Sequence, residues 1–335
     1  MLILVGRVER STALSVTRVR AAGRALADFA LGWLSRLGGR RAGVVIVYHR
    51  VGGPAGDPRL EILPAVSTEE FDKQLRHIRR RYRVVPASDI VDATARRRRG
   101  GRFPVAITFD DDLRCHVDDA LPALQRAGLT ATFFLTGTSL TSRHAFWWED
   151  LQHAVDERLV AADALPGVAE SDLRAALGRE PRAIFRVAAA IEGLDRSSRD
   201  HVATLLRAAV GTPAEPGLRA ADVTKLVEGG CEIGFHTRGH DALPGLSDAD
   251  LTRAFAEGRT DVEAAAGAPL GTIAYPHGKA DDRVADAARK AGFAIGFTTR
   301  RETVSPDADA LLVPRIVPAL SADRMRMRLV QAFAR

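Results

Sequence analysis

From residue 44 onward, short apolar runs alternate with stretches of helical periodicity, the order expected of an α/β protein with a mainly parallel sheet. The runs are VVIVYH (44 to 49), VAITFDD (105 to 111), ATFFLTG (131 to 137), EIGFHT (232 to 237), TIAYPHG (272 to 278), AIGFTT (294 to 299) and LLVPRIV (311 to 317). They are rich in β-branched and aromatic residues, as strands are, and most end at polar or Gly/Pro positions. About seven parallel strands predict closure into a distorted (β/α) barrel.

Helical spacing fills several intervals. Thr68 to Tyr82 opens with Thr68 as cap and carries Phe71, Leu75 and Ile78 on one face; Val117 to Ala127 stops at Gly128, Ala249 to Ala266 at Gly267, and Asp281 to Ala291 at Gly292. Residues 141 to 220 are rich in Ala and Arg with no convincing strand. They predict a helical insertion between two strands of a barrel domain spanning 43 to 335.

Residues 1 to 42 form a separate N-terminal amphipathic segment. Between Ala13 and Leu37 its apolar residues recur at helical spacing, but Arg18, Arg20, Arg24 and Asp28 interrupt them, so it lacks the ~20 apolar residues that a membrane span needs. With Phe29, Leu31, Trp33 and Leu34 it fits either a helix packed on its own domain or one making peripheral contact with a membrane surface. MLILVGRVER has too short an apolar run for a cleavable signal. A cytoplasmic location, with membrane association at the inner face as an option, is the expectation.

Composition narrows the classes. The chain has 335 residues, 46% hydrophobic and 27% charged, which places it among globular proteins rather than disordered ones. The net charge of +6 favours anionic partners only mildly. Arg96 to Gly101 (RRRRGG) has no interleaved aromatics and reads as a solvated loop, so no nucleic-acid partner is expected. Two cysteines, Cys115 and Cys231, exclude a disulfide framework and read as buried inert thiols or as neighbours of a pocket. Oligomeric state is not encoded in any pattern here.

Chemistry concentrates at strand ends. Strand 105 to 109 runs into Asp110, Asp111 and Asp112, and three adjacent carboxylates in a partly buried position call for a cation or a basic group to offset their repulsion. Strand 232 to 235 ends in His236-Thr-Arg-Gly-His240. Two imidazoles at that spacing can meet one metal from a turn, and a carboxylate with two neutral imidazoles is the donor set of a hydrolytic divalent site. In a parallel barrel these strand ends open on one face.

The motifs ITFDDD, ATFFLTG, FHTRGH and YPHG, in that order, resemble the polysaccharide deacetylases of the NodB-homology class, carbohydrate esterase family four. The resemblance covers roughly residues 42 to 142 and 222 to 318. It implies a metal-dependent hydrolase that removes an N-acetyl or N-formyl group from an amino sugar in a polysaccharide or glycan precursor. By position it makes Asp110 the base that activates water, and Asp111, His236 and His240 the ligands of a divalent cation: zinc first, with cobalt and nickel as alternatives. A metal and a backbone N–H would stabilise the oxyanion. Tyr275, Pro276, His277 and Gly278 match a turn that lines the substrate groove.

The sequence also departs from the pattern. Ala274 stands where many members carry an Arg that orients the base, and Asp112 stands where most have Gly, at a turn that can require φ above zero. No late His-bearing motif follows His277. A branch of the family acting on exopolysaccharide poly-N-acetylglucosamine takes its acid from an N-terminal Tyr-His motif. VYHRVG supplies His49 there, which makes His49 the acid candidate, with His277 as a substrate contact or substitute acid. Arg315 in VPRI is placed to reach the site by position alone. Two rival readings remain open: a deacylase of a lipid-linked or nucleotide-linked sugar, and a catalytically inactive carbohydrate-binding protein.

Overall fold

The structure is a computed structural model that describes residues 39–141, 146–211 and 217–334; the predicted N-terminal segment lies almost wholly outside the described residues. Seven strands form one sheet: β1 (Val44–Tyr48), β2 (Arg83–Val84), β3 (Pro104–Asp110), β4 (Thr132–Leu135), β5 (Glu232–Phe235), β6 (Thr272–Ala274) and β7 (Ile295–Phe297). All pairings are parallel, in the order β1-β3-β4-β5-β6-β7, with β2 on the early part of β3. Every residue of β1 and β3 is buried, which explains why they read as near-continuous apolar runs rather than as alternating ones.

One predicted strand does not form. Leu311 to Val317 touches the sheet edges only through single-residue bridges, Phe297 to Val313 on one side and Ile46 to Ile316 on the other. Pro314 removes a ladder donor in the middle of the run. This irregular segment still spans the gap between β7 and β1, so the predicted curled barrel is present. The two-residue β2 carries too little pattern to be seen in sequence.

Helices pack outside the sheet. They are α1 (Thr68–Arg81), α2 (Ile90–Ala95), α3 (Leu121–Ala127), α4 (Thr138–Thr141), α5 (Trp147–Asp156), α6 (Glu170–Leu177), α7 (Ala183–Glu192), α8 (Arg196–Val210), α9 (Ala220–Glu228), α10 (Asp248–Ala256), α11 (Arg259–Ala266), α12 (Asp282–Lys290) and α13 (Ala322–Ala334). The cap of α1 is Ser67, one residue before the expected Thr68: its side chain accepts from the Glu70 N–H. The single helix expected over Ala249 to Ala266 is two, parted at Gly258, whose φ of 78° leaves the helical region. Of the run Arg96 to Arg99, Arg97 is not solvated: it is buried, lies 3.8 Å from the Phe103 ring centroid and donates to the Arg40 carbonyl.

Two apolar cores result. The larger joins the sheet to the flanking helices and includes a stack of Tyr48, Phe109 and Phe133 with Phe71 edge-on. The other lies within α5 to α8, around Leu151, Leu173, Val187, Ile191, Val202 and Leu206. No helix among the described residues is long and apolar enough to cross a membrane.

Asp112 ties the loop after β3 to the loop after β4. Its carboxylate accepts from the Thr136 N–H at 2.7 Å and hydroxyl at 2.8 Å, and from the Ser139 N–H at 3.2 Å and hydroxyl at 3.1 Å. The residue expected to need a positive φ is not this one but its neighbour Asp111, at 76°. Asp112→Ala strands several of these buried donors and is expected to cost about 2–4 kcal/mol, read as a lower urea midpoint with an unchanged slope.

Candidate active site

The strand ends converge as the parallel topology requires. Asp110 closes β3, Asp111 follows it, His236 follows β5, and His49 follows β1. The ligand atoms of Asp111, His236 and His240 lie within 4.8 Å of one another. The His236 Nε2 is 3.6 Å and the His240 Nε2 3.7 Å from Asp111 Oδ1. These distances are too long for hydrogen bonds, yet close to the ~3.4 Å that separates two donors sharing a tetrahedral ion at about 2.1 Å each.

The donors are chemically ready for a cation. The buried Asp111 Oδ1 has no hydrogen-bond partner. Burial, reinforced by Asp110 and Asp112, pushes the Asp111 carboxyl well above its usual range, a cost that a bound cation would reverse. The His236 Nδ1 lies 2.8 Å from the Ala274 carbonyl; a carbonyl only accepts, so the proton is on Nδ1 and the Nε2 lone pair is free. Burial lowers both the His236 and His240 imidazoles, keeping them neutral. The residues therefore fit a divalent metal.

Asp110 lies beside this set, its Oδ2 4.0 Å from the His236 Nε2, but is held by a different partner. Arg315, fully buried, grips it with two parallel bonds, Nη1 to Oδ1 at 2.6 Å and Nη2 to Oδ2 at 2.7 Å. Burial pushes the Asp110 carboxyl up, but Arg315 and the facing His236 outweigh it and hold the group at about 2. Ala274 therefore does not leave Asp110 without a guanidinium clamp; the clamp comes from the irregular segment instead. The signal was a lone Arg inside an apolar run, which once buried must find a carboxylate.

His49 Nε2 is 4.0 Å from Asp110 Oδ2, with the side chain 31% exposed. Burial pushes its imidazole down to about 4 against the pull of Asp110. Its carbonyl accepts from the His116 Nε2–H at 3.0 Å, and the His116 ring sits between Phe109 and Phe133. The structure makes His116 a brace for the His49 backbone.

The YPHG turn is only partly at the groove. Tyr275 does not line it: the ring is fully buried and the hydroxyl donates to the Leu311 carbonyl at 2.8 Å. Pro276 is buried too. His277 and Gly278 are half-buried; the His277 ring lies 4.6 Å from that of His240, and its Nδ1 is 3.4 Å from Glu192 of α7. Trp148 is buried with its ring 4.7 Å from that of His240. Cys115 is a neighbour of this region, its thiol pushed up to about 12 by burial, and inert. Thr132 bonds Glu232, a structural role. Four of the non-glycine residues at positive φ are Asp111, Thr237, His240 and His277, so backbone strain gathers around the cluster.

The polysaccharide deacetylase family profile matches residues 97–163 and 195–296, just over half of the chain. The chain belongs to the polysaccharide deacetylase family. It is thus a hydrolase of the class acting on amide bonds. Family membership is matched by fold: the Streptococcus pyogenes deacetylase PplD, solved in complex with acetate, superposes with a TM-score of 0.58 at 15% identity, covering 87% of this chain and 98% of that one. IcaB from Ammonifex degensii gives 0.56 at 18% identity, covering 88% and 98%. A polysaccharide deacetylase from Bacillus cereus gives 0.54 at 15% identity, covering 87% and 69%. No curated protein matches in sequence. The family match passes over residues 164–194, which hold α6 and α7.

Two outcomes follow from the electrostatics. The Asp110 carboxyl sits at about 2, below its unfolded range near ~3.9, so the Arg315 pair stabilises the fold above that range and the contribution fades as pH falls toward about 2. Arg315→Met should cost about 3–5 kcal/mol at pH 7, with a smaller deficit in denaturant titrations at pH 3. Asp111 is the opposite case: its raised value makes the metal-free fold less stable as pH rises through it. Asp111→Asn should raise the melting temperature of the chelator-treated protein at pH 8, on the order of 2 °C, and abolish any further rise on adding zinc.

Proposed function

We propose that this protein is a divalent-metal-dependent deacylase that removes the N-acetyl group from an amino sugar in a glycan. One observation carries the reading: two adjacent carboxylates with different partners, Asp111 facing His236 and His240, and Asp110 locked on Arg315. The first arrangement suits metal ligation and the second suits a base that stays ionised and unliganded. Arg315 also supplies the feature whose absence at Ala274 favoured an inactive binding protein. The acetate bound by PplD supports acetyl over formyl as the acyl group transferred to water.

Asp111, His236 and His240 would hold the cation. A mixed carboxylate and imidazole set with no thiolate suits zinc, and also cobalt or nickel. When bound, such an ion lowers the pKa of water and polarises an acyl carbonyl. Asp110, ionised at every working pH, accepts the proton of the attacking water. Arg315 fixes both carboxylate oxygens, so the base presents a constant direction to the water and cannot swing toward the ligand cluster. His49 rests neutral at pH 7, so the proton it gives to the leaving amine must reach it during turnover. Asp110, 4.0 Å away, is the group that has just collected one.

The test is acetate release from N-acetylglucosamine oligomers. Asp110→Asn should lower kcat by about 10²–10⁴-fold and His49→Ala by about 10²-fold, while chelation should abolish turnover and zinc or cobalt restore it. Full activity in Asp110→Asn, or in a chelated sample with no detectable metal, would remove the proposal.

A further inference from the structure

The chain's positive charge is segregated. Between Arg76 and Arg102 lie ten arginines against two aspartates, a net charge of +8 in a chain whose total is +6. Residues 1 to 41 add a further +6, so everything else carries −8. A general richness in arginine would not divide the charge in this way.

The fold gathers these arginines at one pole. Strands β1, β2 and β3 are parallel and start side by side at Val44, Arg83 and Pro104. Helix α1 ends there with Arg79, Arg80 and Arg81 in its last turn. The loop between α2 and β3 is tied to the same place: Arg102 donates to the Arg79 carbonyl, and Arg97 to that of Arg40. Arg40 in turn donates to the carbonyl of Phe333 in α13, whose ring stacks on Phe103 and Tyr82. A helix C-terminus favours cations, which accounts for the end of α1 but not for the loop. Arg79, Arg80, Arg83, Arg98 and Arg102 are exposed, and among the described residues no carboxylate pairs with them. Of the two aspartates in the segment, Asp92 is taken by Arg96.

Such a surface complements a polyanion. The chain arrives at it through Arg40 and Arg41 from residues 13 to 37, whose apolar members include Phe29, Leu31, Trp33 and Leu34. A bilayer containing anionic lipid meets both features, with headgroups for the arginines and an acyl boundary for the apolar side chains; nucleic acid meets only the first. The geometry points to a docking surface for an anionic membrane, built from the end of α1, the start of β2 and the loop before β3. Asp110 and His49 lie at the opposite ends of the same strands, so docking at this pole leaves the site uncovered.

The experiment is co-sedimentation of the full chain with lipid vesicles, which needs no enzymatic activity and so stands apart from the deacylase reading. The chain should bind vesicles holding about 30% phosphatidylserine but not pure phosphatidylcholine, with affinity falling roughly tenfold or more between about 0.1 and 0.5 M salt. The triple variant Arg80→Gln, Arg83→Gln, Arg98→Gln should bind on the order of 10²-fold more weakly, with a melting curve that coincides with that of the unaltered chain. Should the variant unfold instead, the lipid and salt dependence of the unaltered chain still decides. Equal binding to both kinds of vesicle, binding indifferent to salt, undiminished affinity in the folded variant, or a preference for double-stranded DNA over the anionic vesicles would overturn the inference.

Discussion

The site depends on one buried ion pair. Asp110 and Asp111 are adjacent in sequence and both almost fully buried, at 3% and 2% exposure, and two such carboxylates cannot both stay ionised without compensation. Arg315 settles which of them does. By taking both oxygens of Asp110, it fixes one charge and leaves the repulsion to be felt at Asp111, whose carboxyl is pushed upward. The pair thus sorts two identical groups into one that is ionised at rest and one whose charged form is disfavoured.

The rest of the fold serves that division. Parallel strands bring His49, Asp110 and His236 to one edge of the sheet from widely separated parts of the chain. The turns beyond the strands are then bent out of ordinary backbone geometry at Asp111, Thr237, His240 and His277, a cost met by the packed barrel beneath and by the Asp112 network alongside. Even the failed strand has a place here. Pro314 breaks the ladder beside Arg315, so the residue that grips Asp110 lies in an irregular segment.

Much of this was legible in sequence, and the reasons are physical. Strands β1, β3, β4, β5, β6 and β7 announce themselves because burial on both faces leaves unbroken apolar runs, and the Asp111, His236 and His240 set could be read because metal donors are few and their order along the chain is distinctive. What sequence misses are relations between distant segments with no local pattern. Arg315 was visible as a residue and a position, but its bidentate grip on a carboxylate 205 residues earlier is a fact of closure. Tyr275 was read as a groove residue from its motif, whereas packing turns its ring inward to Leu311. Gly258 splits one periodic run into two helices because hydrophobic spacing continues across a break that only backbone conformation reveals.

The most direct measurement is anomalous diffraction from crystals soaked in zinc, with data collected on either side of the absorption edge. A single peak should appear about 2.0–2.2 Å from one oxygen of Asp111 and from the Nε2 atoms of His236 and His240, with Asp110 still on Arg315. A peak that recruits Asp110 as a ligand, or that lies away from those three residues, would contradict the account.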